Sequence, residues 1–218
     1  MLMLIPSATN FEHPTFVESI QLIREQLGAT GLNPLQQRVL ECLIHSSGDF
    51  NLTSLLYFST GACEQGINAL RNGAAILTDT MMAAAAVTPT AARCGGNKVY
   101  SVLEWAPALA PVGSTRTVAG MTQAWAKLAN NQIEPKPVLL VGSSPTVLEW
   151  LLNNLEAGAV AEPALVIGMP VGFIRVAESK RRLAVSRLPQ IRLEGSRGGA
   201  GLAAAAVNAL LRASVTDA

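Results

Sequence analysis

The sequence predicts a three-layer α/β/α sandwich around a mostly parallel sheet of about five strands. Three observations carry that expectation. The stretch 137–180 reads as two strand–loop–helix units in tandem. Its two apolar runs, Val138–Val141 and residues 164–167, each follow a proline and end at a glycine, Gly142 and Gly168. Continuous apolar runs of this length suit strands buried on both faces, as in a parallel sheet. Strand-like and helix-like segments alternate elsewhere in the chain as well, which is the pattern of an α/β domain.

Length and composition agree. The 218 residues fit one domain spanning 1–218, half of them hydrophobic and many of those alanine. Sixteen basic and fifteen acidic residues leave a net charge of +1. No basic stripe with interleaved aromatics asks for nucleic acid. Cys42, Cys63 and Cys94 are odd in number and lack CxxC spacing. They read as small buried residues of a reducing compartment, with no metal site. The opening MLMLIP is too short and lacks the basic flank of a signal peptide. The alanine-rich run at 200–211 falls short of a membrane span. The expectation is a cytoplasmic protein that does not enter a membrane.

In chain order, Thr15 followed by Glu18 is a capping-box pattern opening a helix that stops at Gly28. Ser19 lies on that helix. Asn33-Pro34 with Gln36 opens a second helix, which ends at His45 before Ser46-Ser47-Gly48-Asp49. A histidine at a helix C-terminus meets the negative end of the dipole, which favours its protonated form and suits a proton donor. The same position also suits a plain cap on the last carbonyls.

Residues 59–72 read as a helix, and 74–77 as the first strand, running into Thr78-Asp79-Thr80. Those three either hydrogen-bond a ligand at the strand's mouth or cap the next helix. Residues 88–96, with Pro89 and two glycines, read as a loop, and 98–103 as a second strand. A long helix follows over 115–131. Arg116 lies in its first turn, where the dipole disfavours a cation and an anion would welcome one.

The two central units come next. Their loops, 142–145 and 168–173, lie where open parallel sheets bind ligands, and they are the first places to seek a site. Gln190–Leu193 is the last strand, and Glu194-Gly195-Ser196-Arg197-Gly198-Gly199 leads into a final helix. That turn matches no phosphate-binding motif, but beside Arg197 it suits a carboxylate.

Five segments together resemble the precorrin-8X methylmutase family: LIHSSGDF at 43–50, AILTDTMMAA at 75–84, STRTVAGM at 114–121, IGMPVGFIRVAESK at 167–180 and GSRGGAGLAAAAVNALL at 195–211. They run in order over nearly the whole chain. The resemblance implies a flavodoxin-like fold, a homodimer, no cofactor, and a tetrapyrrole substrate of cobalamin biosynthesis, precorrin-8 or its cobalt form. It implies migration of a methyl group from carbon 11 to carbon 12 of ring C, with His45 as the proton donor and acceptor. The substrate contacts it implies are Ser19, Cys42, Thr78, Asp79, Thr80, Arg116, Ser143, Gly172, Arg197 and Gly198. Cys42 and Met81 stand where relatives usually carry arginine, and Gly142-Ser143-Ser144-Pro145-Thr146 stands for the family's G-N-A-P-T. The two missing arginines raise a second expectation, a tetrapyrrole carrier without catalysis.

Overall fold

The computed structural model describes residues 13–129 and 134–216. The MLMLIP segment and the last residues of the expected helix over 115–131 lie outside them. The described chain runs α1 (Pro14–Leu27), α2 (Pro34–Ser47), β1 (Leu56–Phe58), α3 (Ala62–Arg71), β2 (Ile76–Thr78), α4 (Met81–Cys94), β3 (Val99–Ser101), α5 (Arg116–Leu128), β4 (Val138–Val141), α6 (Pro145–Glu156), β5 (Leu165–Gly168), α7 (Val176–Val185), β6 (Gln190–Leu193) and α8 (Ala200–Thr216). Short 3₁₀ turns cover Phe50–Ser54 and Val102–Trp105.

The sheet order is β1-β6-β5-β4-β2-β3, parallel throughout except for β1, which pairs antiparallel with β6. The five parallel strands follow the flavodoxin-like order, with the topological switch between β2 and β4. Every residue of β2, β4 and β5 is buried, so the strands read as unbroken apolar runs. Alternate side chains serve two cores. Val138, Leu140, Leu165 and Ile167 face a core shared with α2, α3, α4 and α8. Leu139, Val141 and Val166 face α5, α6 and α7.

Six strands replace the expected five. The extra one, β1, is a three-residue antiparallel edge strand inside what the sequence suggested was the approach to a helix. Gly61, with φ +70°, makes the turn that delays α3 to Ala62. The expected Thr15–Glu18 box is also corrected. Pro14 takes the first helical position, so His13 is the N-cap and its ring accepts from the Thr15 N–H at 3.3 Å. The Asn33–Gln36 box forms in both directions.

The expected loop at 88–96 is mostly helix. α4 runs through Pro89. Proline there removes one backbone N–H and normally kinks or ends a helix. Alanine is the best helix former, and α4 is rich in it, which offsets part of that cost. Asn208 on the neighbouring α8 donates to the Ala86 carbonyl at 3.1 Å and ties the two helices together ahead of the proline. Small side chains along α8, among them Ala203, Ala204 and Ala206, are fully packed and let α4 and α2 approach closely.

Candidate active site

The C-terminal edge of the parallel strands gathers most of the expected residues. α2 ends there. Arg38 near its start bonds Thr216 near the end of α8, while Asp49 just beyond it pairs with Arg197 just before α8, so the two helices lie antiparallel.

His45 is exposed in the last turn of α2, which the left-handed Gly48 terminates. Its Nδ1 lies 2.8 Å from Ser19 Oγ on α1. The Phe16 ring meets it edge-on, with centroids 4.8 Å apart and planes at 75°. Arg212 lies over the same phenyl ring at 4.9 Å. Two residues one helical turn apart on α1 therefore fix the imidazole, one by a hydrogen bond and one by a ring contact. Ser19, expected as a substrate contact, is bonded to the histidine.

Asp79 closes the topological switch. Its carboxylate accepts the Gly142 N–H at 3.1 Å, the Ser143 N–H at 2.7 Å and the Ser144 N–H at 2.6 Å. Burial pushes its carboxyl above the ordinary carboxylate range, and these N–H groups pull it back. A nest of three N–H groups at the end of β4 is where a flavodoxin-like sheet would hold an anionic ligand. Here an internal carboxylate fills it. Thr78 is equally buried and donates to the carbonyls of Thr80 and Tyr100. Thr80 caps α4 by accepting the Ala83 N–H at 3.2 Å. Of the two roles left open for this triplet, the helix cap is the one Thr80 plays. Thr78 and Asp79, expected as substrate contacts, are buried and spend their polar atoms on partners inside the protein.

Cys42, also expected as a substrate contact, is packed in the core. Cys63 is also buried, and burial pushes its thiol up to about 12, which removes it as a nucleophile. Met81, by contrast, stands 55% exposed at the first position of α4, beside Met82.

Arg116 is exposed, and its Nε donates to the Pro107 carbonyl at 2.8 Å. Behind it, the hydroxyls of Thr115, Thr117, Ser144 and Thr146 form a chain of contacts of 2.9–3.4 Å that joins the starts of α5 and α6. Ser143 is exposed on the loop that Asp79 holds. Gly172 donates to the Ser196 carbonyl at 3.1 Å, and Gly199 to the Met169 carbonyl at 2.8 Å. The β5–α7 and β6–α8 loops are thus stitched together. Gly198 makes that possible: a Cβ there would lie 2.0 Å from the Met169 oxygen. Next to Gly172, Phe173 and Ile174 project outward, 91% and 79% exposed.

Arg197 is half exposed, and Asp49 pairs with its Nη1. Neither Asp49 nor Lys180 is among the expected site residues. Lys180 is 0% exposed, and its Nζ donates to the carbonyls of Gly195 at 2.9 Å and Arg197 at 2.5 Å. A signal for it existed. Val176, Ser179, Lys180 and Leu183 share one helical face, so the pattern places this lysine in the buried stripe of α7. Among the described residues no helix is long and apolar enough to cross a membrane.

Fold and site together define an α/β protein whose C-terminal sheet edge gathers a pinned histidine, exposed arginines and a stitched glycine turn. The precorrin-8X methylmutase family model matches residues 16–213, and the chain belongs to that family, isomerases of cobalamin biosynthesis. It is 35% identical over 214 residues to a cobalt-precorrin-8 methylmutase of Synechocystis sp., covering 92% of this chain and 95% of that one. It is 38% identical over 198 residues to a precorrin-8X methylmutase of Pseudomonas aeruginosa, covering 88% and 91%. A solved precorrin-8X methylmutase from Thermus thermophilus superposes with a TM-score of 0.81 at 38% identity, covering 93% of this chain and 98% of that one.

Proposed function

We propose that the chain moves a methyl group from carbon 11 to carbon 12 of ring C in precorrin-8 or cobalt-precorrin-8, with His45 as the proton donor and acceptor. The observation that supports this most directly is the exposed imidazole at the end of α2, pinned through Nδ1 to Ser19 at 2.8 Å and held edge-on by Phe16. When the ring is charged, Nδ1–H donates to Ser19 Oγ and leaves Nε2–H for a macrocycle nitrogen. Protonating that nitrogen draws electron density from the conjugated system and lowers the barrier to methyl migration. The neutral ring keeps Nδ1–H on Ser19, so the Nε2 lone pair takes the proton back. No proton is gained or lost over the cycle, as an isomerisation requires.

The substrate carries many carboxylates. Arg116, Arg197 and the Gly198 turn are the groups proposed to bind them. Ser143 and Gly172 lie on the adjoining loops and complete the proposed rim. Thr80 shapes it through its cap on α4. The protein is further proposed to act as a homodimer in the cytoplasm. The apolar side chains of Phe173 and Ile174 suit contact with a second copy or with the macrocycle face. Sedimentation is expected to give about twice the mass of the 22.8 kDa chain, and a single-chain mass would exclude the dimer.

The test of the function is an absorption time course of the purified protein with each substrate form. Conversion to the corrin chromophore supports the isomerase. A spectrum that shifts on binding and then stays constant supports the carrier, for which the core position of Cys42 and the exposed thioether of Met81 are the structural motive. Replacing Ser19 by alanine removes the Nδ1 partner without touching the migrating group. Ser19→Ala is expected to lower kcat by about tenfold, the value of one hydrogen bond to a charged group, with KM nearly unchanged. A KM effect with constant kcat would return Ser19 to the role of substrate contact.

A further inference from the structure

Lys180 is a fully buried cation on the helix face it shares with Val176, Ser179 and Leu183, and the proposed mechanism gives it no task. Its ammonium holds two carbonyls of one turn, Gly195 at 2.9 Å and Arg197 at 2.5 Å. A trans peptide unit is planar, with its C=O and the following N–H pointing in opposite directions. Fixing these two oxygens inward therefore turns the N–H groups of Ser196 and Gly198 outward, on either side of Arg197. The turn is held at its other points as well. Gly172 donates to the Ser196 carbonyl, Gly199 donates to the Met169 carbonyl, and Asp49 pairs with Arg197.

We propose that Lys180 is a positioning residue for carboxylate recognition, setting the Ser196 and Gly198 N–H groups and the Arg197 guanidinium as a cradle for one carboxylate of the substrate. The proposal rests on the methylmutase reading for the identity of that substrate. It assigns no proton transfer to Lys180, which touches no reacting atom.

A charged ammonium grips carbonyls more strongly than a neutral amine. Burial lowers Lys180 from its ordinary 10.5 to about 8, with Glu194 opposing the shift. The charged group that acts on it is Glu194, paired with Arg192 on β6; Arg197 with Asp49 belongs to the turn it holds, and the pairs Glu149–Arg175 and Glu156–Arg182 join α6 to α7. All are carboxylates or guanidiniums.

Two consequences run in opposite directions as pH rises above 8. The unfolded chain keeps the lysine proton up to 10.5 while the folded chain has released it, so unfolding becomes harder across that window. Below the window both states are charged, and above it both are neutral. Over the same window the grip on the turn weakens and the cradle loosens. Wild-type protein is therefore expected to gain stability relative to Lys180→Met while its KM rises and its kcat holds. A lysine with a merely structural role would move stability and leave KM flat.

The test compares wild type and Lys180→Met with precorrin-8 between pH 7 and 9, together with amide hydrogen exchange of segment 195–199. At pH 7 the variant is expected to show KM raised about tenfold, the value of one charge-assisted hydrogen bond, and faster exchange in the turn. It is also expected to lack the wild-type rise in KM with pH. A folded variant with unchanged KM, pH profile and exchange overturns the proposal. Should Lys180→Met not fold, the wild-type profile alone decides, and a KM flat from pH 7 to 9 overturns it. Wild-type protein that neither converts nor binds the macrocycle sinks the methylmutase reading, and the proposal with it. Conversion with an unmoved KM sinks the proposal alone.

Discussion

Replacing His45 with alanine is expected to lower kcat by about two to four orders of magnitude, the contribution of a positioned general acid–base. Because the side chain is exposed at the end of α2 and only Ser19 and Phe16 touch it among the contacts described above, its removal leaves the core intact. Thermal melting is expected to stay within a few degrees, about the effect of a surface substitution. Binding of the corrin product, followed by absorption, is expected to persist, since the groups proposed to bind its carboxylates lie on other loops. Added imidazole should restore part of the lost rate, because the vacated position opens to solvent. A variant that turns over at the wild-type rate would remove His45 from the chemistry. One that loses product binding along with kcat would make it a substrate anchor instead.

The parts of this fold that could be read from sequence are those where one physical demand dominates. Val138–Val141 and Gln190–Leu193 form strands with the expected bounds, and for Val138–Val141 the reason is that a short apolar run between turn residues has few other ways to be buried. The strand Leu56–Phe58 was hidden because it has one neighbour and three residues, too few for any alternation to register. Pro89 misled for a different reason. Its local cost is real, and it is offset by packing against α8, more than a hundred residues away.

The site divides along the same line. His45 could be located because a histidine followed by a glycine stop is a local pattern. Whether it caps or catalyses depends on Ser19 and Phe16, which spacing within α2 cannot reveal. Lys180 was legible as a buried position, but its targets at Gly195 and Arg197 belong to another loop. The Thr78-Asp79-Thr80 triplet was ambiguous for the same reason, since its partners are supplied by β4 and by α4.

The second large effect is expected at Asp79. Substitution by asparagine keeps the size and one carbonyl oxygen but removes the charge and turns an NH₂ group toward backbone donors. Three N–H groups, of Gly142, Ser143 and Ser144, then compete for one acceptor. Hydrogen bonds to a charged group contribute about 1.5–3 kcal/mol each, and they are not additive within one network. A net loss of about 4 kcal/mol follows, which corresponds to roughly 8–16 °C in Tm for a chain of this size. The loss is expected to reach function through position rather than contact, because Asp79 is 0% exposed. Loosening its grip frees the loop that carries Ser143 and, through Ser144, the hydroxyl chain behind Arg116. KM should therefore rise at temperatures well below melting, while the His45-dependent step changes little. A second outcome follows where the nest is emptied. Asp79→Ala removes the carboxyl group that asparagine would replace with one of equal size, so the N–H groups become available to an anion as small as formate, and formate should raise the Tm of Asp79→Ala more than that of wild type. If Asp79→Asn melts like wild type, the three short contacts carry little energy, and the β4–α6 loop is held by its own turn instead. If Asp79→Ala melts early yet gains nothing from formate, the loop collapses when the carboxylate is lost, and the closure of the switch point is a matter of packing rather than of an internal anion.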